Sequence, residues 1–330
     1  MLPDNLGFIF DAALNLAPEL PAVLQDDVVL SFEELDARCN RMANALRQLG
    51  VRAGDRVALC FSNDYRFLES LFGPMRLGAV PVPLNTKMGD ESLAYVIEDS
   101  EAKVLIANPA LAARARALAD RLPGIKHLIS AGPQPEEMNG ALEYEAMIEA
   151  ASPLLDRRRT DPDEICMQPY TSGTTGRPKG VQRDVGGHAV AMAASMQHIY
   201  CGGPGETIFT TSDIGWAVGH SYIIYGPLIA GMTTILYEGV PVRPDAGVWW
   251  KIVQDHKVAV MFSAPTAIRV LKKQDPAYLK KYDVSSLKHL FLAGEPLDEP
   301  TARWVSDALG SVAIVDNYWQ TESGWPILTA

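Results

Sequence analysis

Basic excess, long apolar runs and paired cysteines are all missing from this sequence, and each absence narrows what the chain can do. Acidic residues outnumber basic ones by 40 to 29, a formal net charge of −11, and no basic stripe offers the footprint that nucleic-acid phosphates require. The most apolar stretch, Tyr222 to Tyr237, is too short to span a bilayer and is broken by Gly226, Pro227 and Gly231, so a buried element is expected there. Cys39, Cys60, Cys166 and Cys201 are scattered without a Cys-x-x-Cys pair and read as small buried hydrophobes of a reducing compartment. The opening Met1-Leu2-Pro3-Asp4 lacks the basic-then-apolar pattern of a signal peptide, so a cytoplasmic protein is expected. There is no Gly-x-Ser-x-Gly elbow, no metal-spaced His/Cys cluster and no internal repeat, and the six histidines are dispersed. What remains is the composition of a soluble globular protein, 48 % hydrophobic and 21 % charged over 330 residues, long enough for two domains or lobes.

Apolar runs alternate with helical patterns along the chain. Ser31 with Glu34 makes a capping box, and Leu35, Cys39, Met42, Leu46 and Leu49 then share one helical face that Gly50 ends. Strands are expected at Arg56–Phe61, Val80–Val82, Lys103–Ala107 and Lys126–Ile129, with helices over 64–77 and 109–122 between them. The soft stretch Pro153–Asp163, with its Arg157-Arg158-Arg159 cluster read as solvated, divides a first α/β lobe (1–155) from a second (156–330). In the second, strands are expected at Glu164–Gln168, Val258–Ser263, His289–Ala293 and Val312–Val315, with helices over 188–200, from Thr266 to Lys273 and over Asp298–Leu309. This alternation predicts an α/β fold with a parallel sheet covered on both faces.

Between Tyr170 and Val181 stand the hydroxyls Thr171, Ser172, Thr174 and Thr175, the glycines Gly173, Gly176 and Gly180, and the cations Arg177 and Lys179. Glycines allow close backbone approach, hydroxyls add donors and a lysine adds a mobile charge, which together suit a polyphosphate. It is not a Walker loop, whose glycines have four residues between them and are followed by Lys-Ser/Thr. Two further polar stretches, Gly294-Glu295-Pro296 and Asp316–Glu322, follow expected strands as the loop does. Ligands of open α/β sheets gather at strand carboxyl ends, so all three are expected on one sheet rim.

The Thr171–Gly180 loop resembles the signature loop of the adenylate-forming family, the acyl-CoA synthetases, peptide-synthetase adenylation domains and luciferases. The resemblance implies the two-lobed parallel-sheet α/β/α large domain of such an enzyme, with Thr171, Ser172, Gly173, Thr174, Thr175, Gly176 and Lys179 at the phosphates of ATP. Gly294-Glu295-Pro296 then matches the adenine-binding turn. Asp316, Asn317, Tyr318, Trp319, Gln320 and Thr321 match the second nucleotide motif, and Glu322 is its Mg²⁺ ligand. Catalysis is assigned to Lys179, Thr321 and Glu322. Ser212–Leu228 resembles the acyl-pocket segment of short-chain synthetases, so Trp216, Ala217, Val218, His220, Ala293 and Trp319 are expected near the acid. A large indole at Trp319 matches acetyl- and propionyl-CoA synthetases, and Ala217 favours propionate over acetate. The implied reaction joins a small carboxylic acid to AMP, releases pyrophosphate, and transfers the acyl group to coenzyme A.

The likeness is mixed. Residues from about 177 to 328 resemble propionyl-CoA synthetases, whereas 1 to about 170, including Gly78–Asn85, resemble a medium-chain or aromatic ligase branch, as a fusion near the loop would. The family pattern continues into a β-rich subdomain and a mobile C-terminal domain that carries the catalytic lysine, and no such motifs follow Glu322. The expectation is an incomplete nucleotide-site half with slow turnover of its own. Its alternatives are a non-catalytic ATP- or adenylate-binding fragment, or a partner of a separately encoded C-terminal half that associates through an exposed apolar surface.

Overall fold

The computed structural model describes residues 4–171 and 176–330. Ser31 caps the helix Phe32–Gln48 as its spacing dictates. Its hydroxyl accepts from Glu34 N at 3.2 Å, and Glu34 Oε2 accepts from Ser31 N at 2.8 Å. Leu35, Cys39, Met42 and Leu46 lie on the buried face of this helix, and Gly50 beyond its end takes a left-handed φ of +86°.

Packing divides the described residues into two units. The first comprises the segment ending at Glu19, Leu30–Val190 and Ile214–Ala217. Its core is a five-stranded parallel sheet in the order Val80–Pro83, Arg56–Cys60, Val104–Ala107, His127–Ser130, Leu142–Glu143. Pro81 and Pro83 are tolerated because their strand lies at the edge, where missing N–H groups break no central ladder. Helix Phe32–Gln48 packs closely on helix Arg66–Arg76. The fully buried Arg76 pairs with Asp36 of the facing helix at 2.8 Å and ties this layer to the N-terminal segment by donating to Gly7 O at 2.8 Å.

The arginine cluster is mostly solvated, as expected, and its members are paired. Arg157 pairs with Asp11 and covers the Phe8 ring at 4.3 Å, and Arg158 pairs with Glu164 at 2.9 Å. Arg159 and Arg157 are exposed, at 91 % and 55 % of their side chains, and Arg158 is partly covered. Arg157 and Arg159, the latter through Asp4 at 3.3 Å, fasten this stretch of the first unit to the start of the chain.

The second unit comprises Leu20–Val29, Ala191–Asp213 and Val218–Ala330. Its eight-stranded sheet runs Pro326–Thr329, Ala313–Trp319, His289–Ala293, Val258–Ser263, Thr207–Thr210, Thr233–Ile235, Pro21–Gln25, Val28–Ser31. Pairing is parallel from Pro21–Gln25 through Ala313–Trp319, and Pro326–Thr329 closes the far edge antiparallel. The apolar stretch Tyr222–Leu228 is buried throughout. Among the described residues no helix is long and apolar enough to cross a membrane.

Three sequence expectations need correction. The strand expected at Glu164–Gln168 is not part of either large sheet. Pro169 lacks an N–H and splits it into Ile165–Met167 and Tyr170–Thr171, which pair antiparallel with Arg183–Asp184 and Lys179–Gly180. The helix expected over 188–200 starts at Val185 and ends in a π-helical segment, Met196–Tyr200. Cys201, expected buried, is exposed with φ +54°.

Candidate functional site

The antiparallel ribbon positions what is described of the hydroxyl loop. Thr171 pairs in register with Lys179, and Tyr170 with Gly180. Tyr170 anchors this ribbon, since its hydroxyl donates to Asp99 Oδ2 at 2.7 Å and accepts from Gln168 Nε2 at 2.9 Å. A Cβ at Gly180 would stand 2.9 Å from Gln168 Nε2 and 3.0 Å from the Tyr170 ring, so a larger residue there would disturb this bond pair. Gly176 has φ +153° with no described atom within 4 Å of where a Cβ would stand, and Lys179 is exposed. The Arg177 guanidinium lies 5.2 Å from the Tyr95 ring centre, beside a cavity of about 700 Å³ that Glu98 and Arg121 also wall. Ser172, Gly173, Thr174 and Thr175 lie outside the described residues.

The other two polar stretches belong to the second unit and line one cavity. Gly294 ends the strand His289–Ala293 at φ +103°, with nothing among the described residues within 4 Å of where a Cβ would stand. Arg269 braces the turn it opens, pairing with Glu295 at 2.9 Å and donating to Pro296 O at 3.2 Å and to Asp298 Oδ2 at 2.7 Å. The hydrogen bond from Arg269 holds the Glu295 carboxyl below its usual range. The strand expected to stop at Val315 continues to Trp319, so Asp316 to Trp319 are strand residues beside that turn. Asp316 Oδ2 accepts from Leu297 N at 3.4 Å, and Ala293 is the register partner of Asn317.

A cavity of about 440 Å³ lies between the Gly294-Glu295-Pro296 turn and the strand residues Asp316 to Trp319, with Leu328 on its far side. Tyr318 is 52 % exposed, and its hydroxyl accepts from Gln320 Nε2 at 2.8 Å. Asn317 is buried. Its Nδ2 donates to the Tyr200 hydroxyl at 3.3 Å, while Oδ1 has no hydrogen-bond partner among the described residues. Trp319 is half-buried on the rings of Tyr222 and Phe262, at 5.7 and 6.4 Å between centres. After it the chain turns, held by Ser221 Oγ donating to Gly324 O at 2.7 Å. Thr321 is half-buried and Glu322 exposed. No cluster of three or more metal-ligating side chains occurs among the described residues.

Two of the three stretches, Gly294–Pro296 and Asp316–Trp319, thus line one cavity. The hydroxyl loop grows from its own ribbon in the first unit, while Gly294–Pro296 and Asp316–Trp319 share the eight-stranded sheet. The acyl set is likewise divided. Trp216, 49 % exposed, and Ala217 belong to the first unit, where Ile214 N donates to Asn63 Oδ1 at 2.8 Å just before them. Val218, the buried His220 and Ala293, and Trp319 belong to the second. The sequence reading missed Arg269 and Tyr200. Arg269 contacts residues 26 to 29 positions away, and nothing local marks it. Tyr200 closes a stretch whose sequence looks like an ordinary apolar helix.

A family model described as AMP-binding enzyme matches residues 10–330. The protein named Propionate--CoA ligase of Escherichia coli (strain K12) is 44 % identical, over 96 % of this chain and 54 % of its own. Its namesake from Salmonella typhimurium is 43 % identical, over 92 % and 50 %. Acetyl-coenzyme A synthetase of Rhodobacter capsulatus is 35 % identical, over 91 % and 48 %. The likeness to the first of these thus reaches through the segment before residue 170. Among solved structures, an anthranilate CoA ligase in complex with anthranoyl-AMP superposes with a TM-score of 0.89 at 25 % identity, over 100 % of this chain and 62 % of that one. The chain spans about half the length of the curated relatives it matches.

Proposed function

The chain belongs to the AMP-binding enzymes, and from that premise we propose that it serves the ATP-dependent activation of a small, propionate- or acetate-like carboxylic acid to an acyl-adenylate for transfer to coenzyme A. One observation carries the reading: a half-buried tryptophan, Trp319, borders a cavity whose other wall is the open Gly294 turn. That cavity fits a ligand with a planar polar head. Gly294 leaves its backbone uncovered, and the unpartnered Oδ1 of the buried Asn317 needs a donor. An indole closing the acyl end excludes long chains by bulk, which discriminates more sharply than the contact of one added methylene.

In this reading Gly294, Glu295 and Pro296 with Asp316, Asn317, Tyr318 and Gln320 hold the base, and Thr321 meets the α-phosphate. The loop from Thr171 through Ser172, Gly173, Thr174 and Thr175 to Gly176, with Lys179, takes the outer phosphates. A carboxylate oxygen of the acid bonds to the α-phosphorus as the bond to pyrophosphate breaks. No protein nucleophile is required, and Lys179 and the loop amides stabilise the charge that develops. Mg²⁺, when bound at Glu322, neutralises the phosphates, and one carboxylate with phosphate and water oxygens suffices for so hard a cation. Trp216, Ala217, Val218, His220 and Ala293 complete the acyl side.

A second reading is supported by the edge strand Pro326–Thr329, on which Ile327 and Leu328 are 50 % and 65 % exposed. It makes these residues an ATP- or adenylate-binding unit whose turnover needs further polypeptide packed there. Pyrophosphate release with acetate, propionate, octanoate and benzoate, alongside thermal stabilisation by Mg-ATP, separates the two. Turnover led by the shortest acids supports the ligase, and stabilisation without turnover supports the binding unit. Preference for octanoate sinks the role of Trp319.

A further inference from the structure

Strand alternation puts Asn317 and Trp319 on the same face of Ala313–Trp319. Beneath that face lies Tyr200, fully buried. Its ring centre is 4.1 Å from that of Tyr222, 5.6 Å from Phe262 and 4.4 Å from Phe291. Trp319 rests on the same Tyr222 and Phe262 rings. Tyr200 therefore touches both supports of the indole and, through its bond to Asn317, the strand two residues before it.

A phenylalanine would fill this space equally well. A phenolic hydroxyl in the middle of an aromatic cluster costs free energy unless it is bonded. Burial also drives its proton affinity far above the usual phenol range, so it stays neutral. Asn317 Nδ2 donates to this hydroxyl, and the facing Tyr222 hydroxyl is a second polar neighbour; together they offset the burial. The backbone around it is unusual too. Tyr200 ends the π-helical segment Met196–Tyr200, and Tyr222 lies in a second, His220–Tyr225. Such segments are rare and concentrate at functional sites. Here two of them deliver the two tyrosines that face each other under the indole.

We propose that Tyr200 is a positioning residue that sets the upper limit on acyl chain length by fixing the orientation of Trp319. The inference rests on the reading of Trp319 as the wall of the acyl pocket. Tyr200 is fully buried beneath the indole, so in this proposal it acts through Trp319 and its supports. Its hydroxyl locks Asn317, its ring locks Tyr222 and Phe262, and the indole has one place left to lie. With the lock removed the indole swings and the pocket deepens.

The test measures dissociation constants of the full chain for acyl-sulfamoyl-adenosines carrying acetyl, propionyl, butyryl and pentanoyl groups. Wild type should favour propionyl over pentanoyl by at least about tenfold, the scale on which added methylenes are discriminated. Tyr200→Phe should narrow that ratio at least about threefold while leaving the propionyl constant within about twofold. Asn317→Ala, which removes the same hydrogen bond, should narrow the ratio in the same direction, because any loss of base contact is common to all four ligands. An equal weakening of all four analogues, or an unchanged ratio in both variants, overturns the proposal. Failure of wild type to bind any analogue overturns the functional reading itself, a result distinct from either.

Discussion

Arg38 grips the fully buried carboxylate of Glu69 with two nitrogens, Nε at 2.5 Å and Nη2 at 3.1 Å. The Tyr144 hydroxyl donates to the same carboxylate at 2.8 Å, and Glu145 is held between Arg38 at 2.9 Å and Arg66 at 2.8 Å. Burial pushes the Glu69 carboxyl upward, against the pull of Arg38. Arg38→Met leaves that carboxylate enclosed without its counter-charge and should cost about 3–5 kcal/mol in urea unfolding. The sign with pH follows. An acid whose folded-state affinity for protons is raised stabilises most when neutral, so the loss should shrink as pH falls toward 5. A loss below about 1 kcal/mol at neutral pH would show the pair to be dispensable.

Gly73 stands where helix Arg66–Arg76 meets helix Phe32–Gln48. A Cβ there would lie 2.4 Å from Met42 Cγ, 2.9 Å from Met42 Cβ and 3.2 Å from Ala43 N. Alanine is the better helix former by about 1 kcal/mol. Met42 Cγ can rotate aside, but the Cβ and the backbone nitrogen cannot. Overpacking of about 1–3 kcal/mol should therefore win, and Gly73→Ala should lower the melting temperature. A rise would mean the helices part at little cost.

Asp298 caps helix Glu299–Leu309, accepting from Thr301 N at 2.9 Å and from Arg269 Nε at 2.7 Å. Arg269 first, then Thr301, lowers its carboxyl from the ordinary 3.8 to about 2. A depressed carboxyl stabilises above its unfolded value and loses that contribution as pH falls through its folded value. The gap in melting temperature between wild type and Asp298→Ala should thus be full at neutral pH and close between about 4 and 2. A gap of constant size down to pH 2 would show that charge plays no part in the cap.

What the residues disclosed and what they hid divide along a physical line. Val258–Ser263 and His289–Ala293 are legible because each is an apolar run bounded by a turn, and both appear with those ends. Ser31 and Glu34 are legible because a capping box is local. Pro21–Gln25 is not, since its partner Thr233–Ile235 lies some two hundred positions on, with Val23 opposite Thr234. In the site, Gly294-Glu295-Pro296 could be read from its place after a strand. The brace from Arg269, the path of the loop through its own ribbon, and the π-turn under Trp319 could not. A one-residue change in helical pitch leaves the apolar pattern almost unaltered, and long-range ion pairs leave no local mark.

Lys179 stands exposed in the ribbon opposite Thr171, and its charge has no structural duty visible in its burial. An exposed lysine removed from such a place changes folding stability within about 0.5 kcal/mol, so Lys179→Ala should melt near wild type without ligand. If the charge faces the phosphates of ATP, the variant should bind Mg-ATP at least about tenfold more weakly. At saturating nucleotide that removes about 1.4 kcal/mol of the stabilisation that binding supplies by mass action. The exposed Lys280 serves as control, because Lys280→Ala alters net charge equally and should leave the nucleotide-induced shift intact. Equal shifts in all three proteins would remove Lys179 from the phosphate site. A reduced shift with Lys179→Ala alone would tie the ribbon to the nucleotide, and restoration by Lys179→Arg would show that charge, rather than the geometry of the ammonium, is what the phosphates need.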